Sequence, residues 1–158
     1  MPHVLILAYG NPLRSDDGVA WHAAEALEGR FPPSEVEILR THQLAPELAE
    51  NVSHTRCTIF VDAAAAKDAG NGHAGQIEVQ EIHSDGLSSA PPVSFSHSLS
   101  PDHMLGLASR LYGAVPRAFC VTMTGGNFDH GESLSPPVLA ALPTLIAHIE
   151  QIVQSNLR

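Results

Sequence analysis

The chain reads as an α/β protein: a three-layer α/β/α sandwich around a five-stranded, mostly parallel sheet. Three observations predict it. Short apolar runs alternate with segments of helical periodicity, the pattern of a doubly wound sheet. The 158 residues suffice for one domain, residues 1–158, with a core that needs no staples. One strictly alternating segment lacks a helical crossover before it, which predicts a single antiparallel strand.

The elements follow in order. His3 to Tyr9 is short and apolar, a buried strand broken by Gly10-Asn11-Pro12. Val19 to Arg30 carries Trp21, Ala24 and Leu27 at helical spacing and stops before Pro32-Pro33. Glu35 to Arg40 alternates as a second strand, and a short helix is expected from Pro46 to Val52. Thr58 to Val61 is the third strand, ending at Asp62, with Ala63–Gly72 expected as a loop. Gln76 to Ile82 alternates polar and apolar, the fourth and antiparallel strand. The polar stretch from Ser84 to Ser98 is a long loop, a kind that often carries function. Ser100-Pro101-Asp102 combines an N-cap, a first-position proline and a first-turn acid, so a helix opens there, with Met104, Leu107, Ala108 and Leu111 as its stripe. Ala118 to Thr122 is the fifth strand. Thr124 to Leu134 is a Gly-rich loop with the look of a lid. Ser135-Pro136 starts a last helix reaching about Gln154, with Pro143 as an expected kink.

Composition excludes some partners. The net charge is −9, and the eight Lys and Arg are scattered, so no basic footprint for nucleic acid exists. The same charge disfavours an anionic membrane surface, and a basic protein segment is the better electrostatic partner. No apolar segment reads as approaching 18 residues, and no secretory leader is evident, so the expected location is the cytoplasm. Cys57 and Cys120 each sit in an apolar run and read as buried, reduced thiols.

In such sheets, ligands bind outside the carboxyl ends of the strands. Three acids and a histidine belong to loops expected there: Asp16 and Asp17 after the first strand, Asp62 after the third, and His97 before the third helix. Asp16-Asp17 also fits a plain role at a helix start. Asp62 follows four apolar residues with no capping role in view. One histidine among ten carries little weight alone. Together, Asp17, Asp62 and His97 form a metal-ligand set suited to Zn, Mn, Fe or Ni, with coordination positions left for water or substrate. A phosphate cradle is disfavoured, because Gly10 and Gly18 meet no dinucleotide or P-loop fingerprint and two acids stand at the helix mouth. Ser96-His97 lacks the Gly-x-Ser-x-Gly elbow of a serine hydrolase.

Four segments carry a resemblance. Ile6 through Leu13 with Asp16-Asp17-Gly18, then Ile59 to Ala63, then Ser96 to Leu99, then Gly131 to Pro136, resemble in order and spacing the [NiFe]-hydrogenase maturation endopeptidases over nearly the whole chain. The resemblance implies a phosphorylase/hydrolase-like sandwich and cleavage of a C-terminal extension from a hydrogenase large-subunit precursor after nickel insertion. It places metal binding and catalysis on Asp17, Asp62 and His97. It also implies that nickel is contributed by the substrate, that another divalent metal is possible, and that no Ser or Cys nucleophile operates. The chain departs from the family at Arg40-Thr41-His42-Gln43-Leu44, where members often carry Asp-Gly-Gly-Thr. That change bears on client choice, and His42 is read as a loop histidine, with ligation the lesser alternative. Two other functions use the same site: a metal-dependent hydrolase of small molecules, and a non-enzymatic nickel-site assembly module.

Overall fold

The computed structural model describes residues 2–65, 73–83 and 99–157. Five strands form one sheet: β1 (Val4–Tyr9), β2 (Val36–Thr41), β3 (Cys57–Ala65), β4 (Ile77–Ile82) and β5 (Arg117–Gly125). Their order is β2-β1-β3-β5-β4. The β1–β2, β1–β3 and β3–β5 pairs are parallel, and β4 runs antiparallel to β5. The lone antiparallel strand is the one whose preceding connection showed no helical pattern.

Helices α1 (Val19–Leu27), α2 (Leu48–Ser53), α3 (Pro101–Tyr112) and α4 (Pro136–Asn156) cover both faces. Alternation along the strands divides the core. Val4, Ile6 and Ala8 of β1 join Ile59 and Val61 of β3 in a cluster with α1 and α4. Leu5 and Leu7 of β1 join Phe60 of β3 in a cluster with α2 and α3. Each fully buried Leu, Ile or Phe contributes about 1.5–3 kcal/mol by leaving water. Two packed faces fix the strand register, since a slip of one residue would exchange them.

Several boundaries differ from the sequence expectation. Helix α1 stops at Leu27, where Glu28 turns to an extended conformation. Strand β3 continues through Ala63, Ala64 and Ala65, expected as loop, because β5 runs on to Gly125 and pairs with them. Four alanines gave no alternation to read as strand. Helix α3 begins as expected, with the Ser100 hydroxyl accepting from the His103 amide at 3.3 Å. Helix α4 passes through Pro143 as one 21-residue helix. By length and composition α4 is apolar enough to cross a membrane, which corrects the expectation that no segment is. One face of it, through Val138, Leu145, Ile149 and Val153, packs into the core cluster, and most of its other residues are half-buried or exposed.

The strand order reverses between β1 and β3: β2 lies outside β1, and the chain then returns to the far side of β1 to make β3. The carboxyl ends of β1 and β3 thus flank the switch point where such sheets bind ligands.

Candidate metal and peptidase site

Strand β1 ends at Tyr9, and Gly10 turns the chain with φ 138°. A Cβ on Gly10 would overlap the Asp17 carbonyl oxygen, so only glycine lets these backbones approach. A 3-10 turn at Ser15–Gly18 then leads into α1. Ser15 enters it at φ 52°, a left-handed conformation costing of order 1–3 kcal/mol for a non-glycine residue. Two bonds offset that cost: the Ser15 amide donates to the Gly131 carbonyl at 2.7 Å and its hydroxyl to the Asp129 carbonyl at 2.7 Å.

Asp16 and Asp17 separate in role. Asp16 is fully buried. Its Oδ2 accepts from the Gly126 amide at 2.8 Å, the Asn127 amide at 2.9 Å and the Ser135 hydroxyl at 2.7 Å. Its Oδ1 accepts from the Ser135 amide at 2.7 Å. Burial alone would raise its pKa, but these donors together hold the carboxyl below its usual range. Neither the turn nor α1 receives a side-chain cap, so neither acid is a helix cap. Asp17 is half-buried, and its Oδ2 accepts from the Asn11 amide at 2.8 Å.

Asp62 stands near the carboxyl end of β3, opposite Thr122 of β5. Alternation puts it on the face of Phe60, the side of α2 and α3. Its Oδ1 accepts from the Ala63 amide at 2.8 Å. Burial pushes its pKa up to about 7; the Ala63 bond opposes that rise, and the negative charge of Asp17 adds to it. Asp17 and Asp62 therefore converge across the β1–β3 junction. Among the described residues, Asp17 Oδ1 and Asp62 Oδ2 accept no hydrogen bond, which leaves one oxygen on each carboxylate for a cation.

His97, the third expected ligand, lies outside the described residues. Leu99, two residues later, packs on the α2–α3 cluster with Tyr9 and Cys120. The chain therefore enters α3 on the face that carries Asp62. Among the described residues, no three His, Cys, Asp or Glu side chains form a metal-holding group.

The geometry adds two neighbours that sequence reading passed over. The Tyr9 phenol is driven well above its ordinary pKa by burial, then by the charges of Asp62 and Cys120. Cys120 is half-buried rather than fully buried, and free. Burial, then Asp102 and Asp62, push its thiol up to about 12, so it is protonated and a poor nucleophile near neutral pH. Strand alternation could have found both: Tyr9, Asp62 and Cys120 all fall on the α2–α3 face once the register is known.

The Arg40–Leu44 stretch leaves β2 beside this edge. The Thr41 carbonyl accepts from the Gly10 amide and from Trp21 Nε1, both at 3.1 Å. Arg40 pairs with Glu28 at 2.8 Å and lies 6.0 Å from the Trp21 ring centre. The exposed His42 ring sits 5.6 Å from that of Trp21. The Gly-rich segment after β5, expected as a lid, is fastened to the Ser15–Gly18 turn through the Asp16 and Ser15 bonds.

No family model matches the chain. Over 160 aligned residues it is 30% identical to the hydrogenase 2 maturation protease of Escherichia coli (strain K12), an alignment spanning 98% of this chain and 88% of that protein. The fold is similar to the hydrogenase maturating endopeptidase HybD from E. coli, with a TM-score of 0.73 and 24% identity over 97% of this chain and 93% of that one. The [NiFe] hydrogenase maturation protease HybD from Thermococcus kodakarensis gives a TM-score of 0.71 at 19% identity, covering 96% of this chain and 99% of that one. The identity and near-complete coverage of the E. coli enzyme, on a fold that brings Asp17 and Asp62 together at the switch point, show that this chain belongs to the hydrogenase maturation protease family of peptidases.

Proposed function

We propose that this protein is a cytoplasmic endopeptidase that removes a C-terminal extension from a nickel-loaded [NiFe]-hydrogenase large-subunit precursor. The observation that carries the reading is the convergence of Asp17 and Asp62 at the β1–β3 junction in a chain of this family. Nickel belongs to the substrate. Asp17, Asp62 and His97 grip it and so dock the client with its scissile bond at the strand ends. Carboxylate and imidazole donors suit a nickel ion that keeps ligands of its own, and another divalent metal could be gripped in the same way.

The neighbouring residues support hydrolysis without a covalent enzyme intermediate. The Cys120 thiol is protonated at working pH. The alternatives, a small-molecule hydrolase or a non-enzymatic assembly module, gain support from no particular feature of the site.

The test is incubation of purified protein with nickel-loaded and nickel-free precursor, followed by mass spectrometry of the client. The expected result is loss of a short C-terminal peptide from the loaded client only. Efficient cleavage of nickel-free client would overturn nickel guidance. An intact client in both samples would overturn the peptidase assignment for that client.

A further inference from the structure

Asp16 is an ionisable side chain at a site where it can itself hold nothing. It is fully buried, and both of its oxygens are occupied by protein donors. Its four bonds all reach one place, the connection from β5 to α4. The Ser135 hydroxyl, at the N-cap of α4, bonds Asp16 and makes no capping bond to its own helix. The link is extended on both sides. The Asp16 amide donates to the Asn127 carbonyl at 2.9 Å, and the Gly131 amide donates to the Leu13 carbonyl at 2.9 Å. Arg14 Nε donates to the Phe128 carbonyl at 3.2 Å. Packing reinforces it, since a Cβ on Gly125 would come within 2.9 Å of the Asp16 Cβ.

Asp17 is the next residue, and its carboxylate has one described tie, the Asn11 amide. Its position relative to Asp62 therefore depends on where the Ser15–Gly18 turn stands against the sheet. Strand β5 is paired with β3 residue for residue up to Ala65, so the β5–α4 connection is fixed to the same strand that carries Asp62.

We propose that Asp16 is a positioning residue: its buried carboxylate pins the Ser15–Gly18 turn to the β5–α4 connection and thereby sets the aim of the Asp17 carboxylate toward Asp62. The functional side of this inference rests on the nickel-gripping role given to Asp17 above. Asparagine at position 16 would turn an NH₂ toward a cluster of N–H and O–H donors, so a near-isosteric change disrupts the link. Ser135→Ala is milder, because the Gly126, Asn127 and Ser135 amides remain.

The experiment compares the full-length wild-type chain with Asp16→Asn and Ser135→Ala, at a temperature where circular dichroism shows all three folded. The first readout is the Asn11 backbone amide, which reports on the Asp17 carboxylate through its bond to Oδ2. In Asp16→Asn its proton shift moves and its hydrogen exchange accelerates; in Ser135→Ala the change is smaller and in the same direction. The second readout is titration with nickel chloride. Disturbing such a supporting group weakens metal affinity about 10- to 100-fold, with the larger loss in Asp16→Asn. Variants that melt lower yet keep the wild-type Asn11 amide and nickel affinity would overturn the proposal and leave Asp16 as a stabilising residue only. If Asp16→Asn does not fold, Ser135→Ala decides by the same two readouts. A wild-type chain that neither binds nickel nor cleaves a loaded client would count against the function proposed above, and the Asn11 amide would still decide the positioning role.

Discussion

Asp62 lies across the β1–β3 junction from Asp17, near enough that the charge of Asp17 helps burial raise its pKa to about 7. Asp17 comes from the Ser15–Gly18 turn that follows β1 and Asp62 from β3, and they meet where the sheet reverses its order between those two strands. Two like charges held half-buried are unfavourable alone and become favourable around a cation. At the proposed nickel site, the bound cation relieves that repulsion.

Nickel affinity should accordingly depend on pH near neutrality. A ligand must lose its proton to bind, and Asp62 is largely protonated below about pH 7. Calorimetry at about pH 7.5 and about pH 5.5 should show at least about tenfold weaker binding at the lower value. Equal affinities would contradict ligation by an Asp62 whose carboxyl titrates near neutrality.

The same residue should trade stability for function. Its folded-state pKa lies above the ordinary 3.8, so ionisation destabilises the fold. The penalty is absent below about pH 4. It grows between there and neutrality and is full above about pH 7. Its upper bound is about 4 kcal/mol. Asp62→Asn keeps an acceptor for the Ala63 amide and removes the charge. Urea unfolding at about pH 8 should show the variant more stable than wild type, with the difference shrinking on acidification, while nickel binding is lost. A variant less stable at about pH 8 would contradict the assigned cause of the shift.

Much of this arrangement was legible in the sequence, for identifiable reasons. Short apolar runs marked β1 and β3, alternation marked β2 and β4, helical spacing marked α1 and α3, and the missing crossover before Ile77 marked the antiparallel strand. Asp62 stands out because an acid after Thr58-Ile59-Phe60-Val61 has no helix to cap, and its local bond to the Ala63 amide occupies one oxygen alone. The doublet Asp16-Asp17 did not reveal its division of labour, since the partners of Asp16 lie at Gly126, Asn127 and Ser135, more than a hundred residues away. The extension of β3 into Ala63–Ala65 was hidden for a similar reason: alanine has little strand preference, and pairing with β5 decides the matter. Tyr9 and Cys120 could be recognised as neighbours of Asp62 only with the register in hand.

Gly10→Ala should impair the site more than the fold around it. The added methyl would overlap the Asp17 carbonyl oxygen, and φ 138° is poorly tolerated by alanine. The turn must shift, carrying Asp17 with it. A stability loss of at least about 1 kcal/mol by urea unfolding is expected, together with nickel binding weakened at least about tenfold. Unchanged nickel affinity would show that the close approach of Gly10 does not set the position of Asp17.

The last prediction separates two histidines six positions apart in the chain, His97 and His103. His103 sits in the first turn of α3, where its amide donates to the Ser100 hydroxyl and its Nδ1 lies 2.9 Å from the same oxygen. That ring is engaged by the helix cap. Its replacement removes one local contact, and the Ser100 hydroxyl still accepts from the residue 103 amide. The expected cost is under about 1 kcal/mol of stability, with nickel binding and client processing close to wild type. His97 lies outside the described residues, two positions before Leu99, which packs on the face carrying Tyr9 and Cys120. The resemblance of Ser96 to Leu99 to the family's third motif also favours His97. Removing a ligand from a three-residue set leaves two carboxylates that hold nickel less selectively and no imidazole to complete the grip. His97→Ala should therefore abolish processing of nickel-loaded precursor and weaken nickel binding, while leaving thermal stability of the metal-free protein near wild type. Both single variants are assayed side by side by mass spectrometry of the client and by nickel calorimetry. If His103→Ala is the inactive one, the imidazole ligand comes from α3 itself, and the Ser100–His103 contact must open when the client docks.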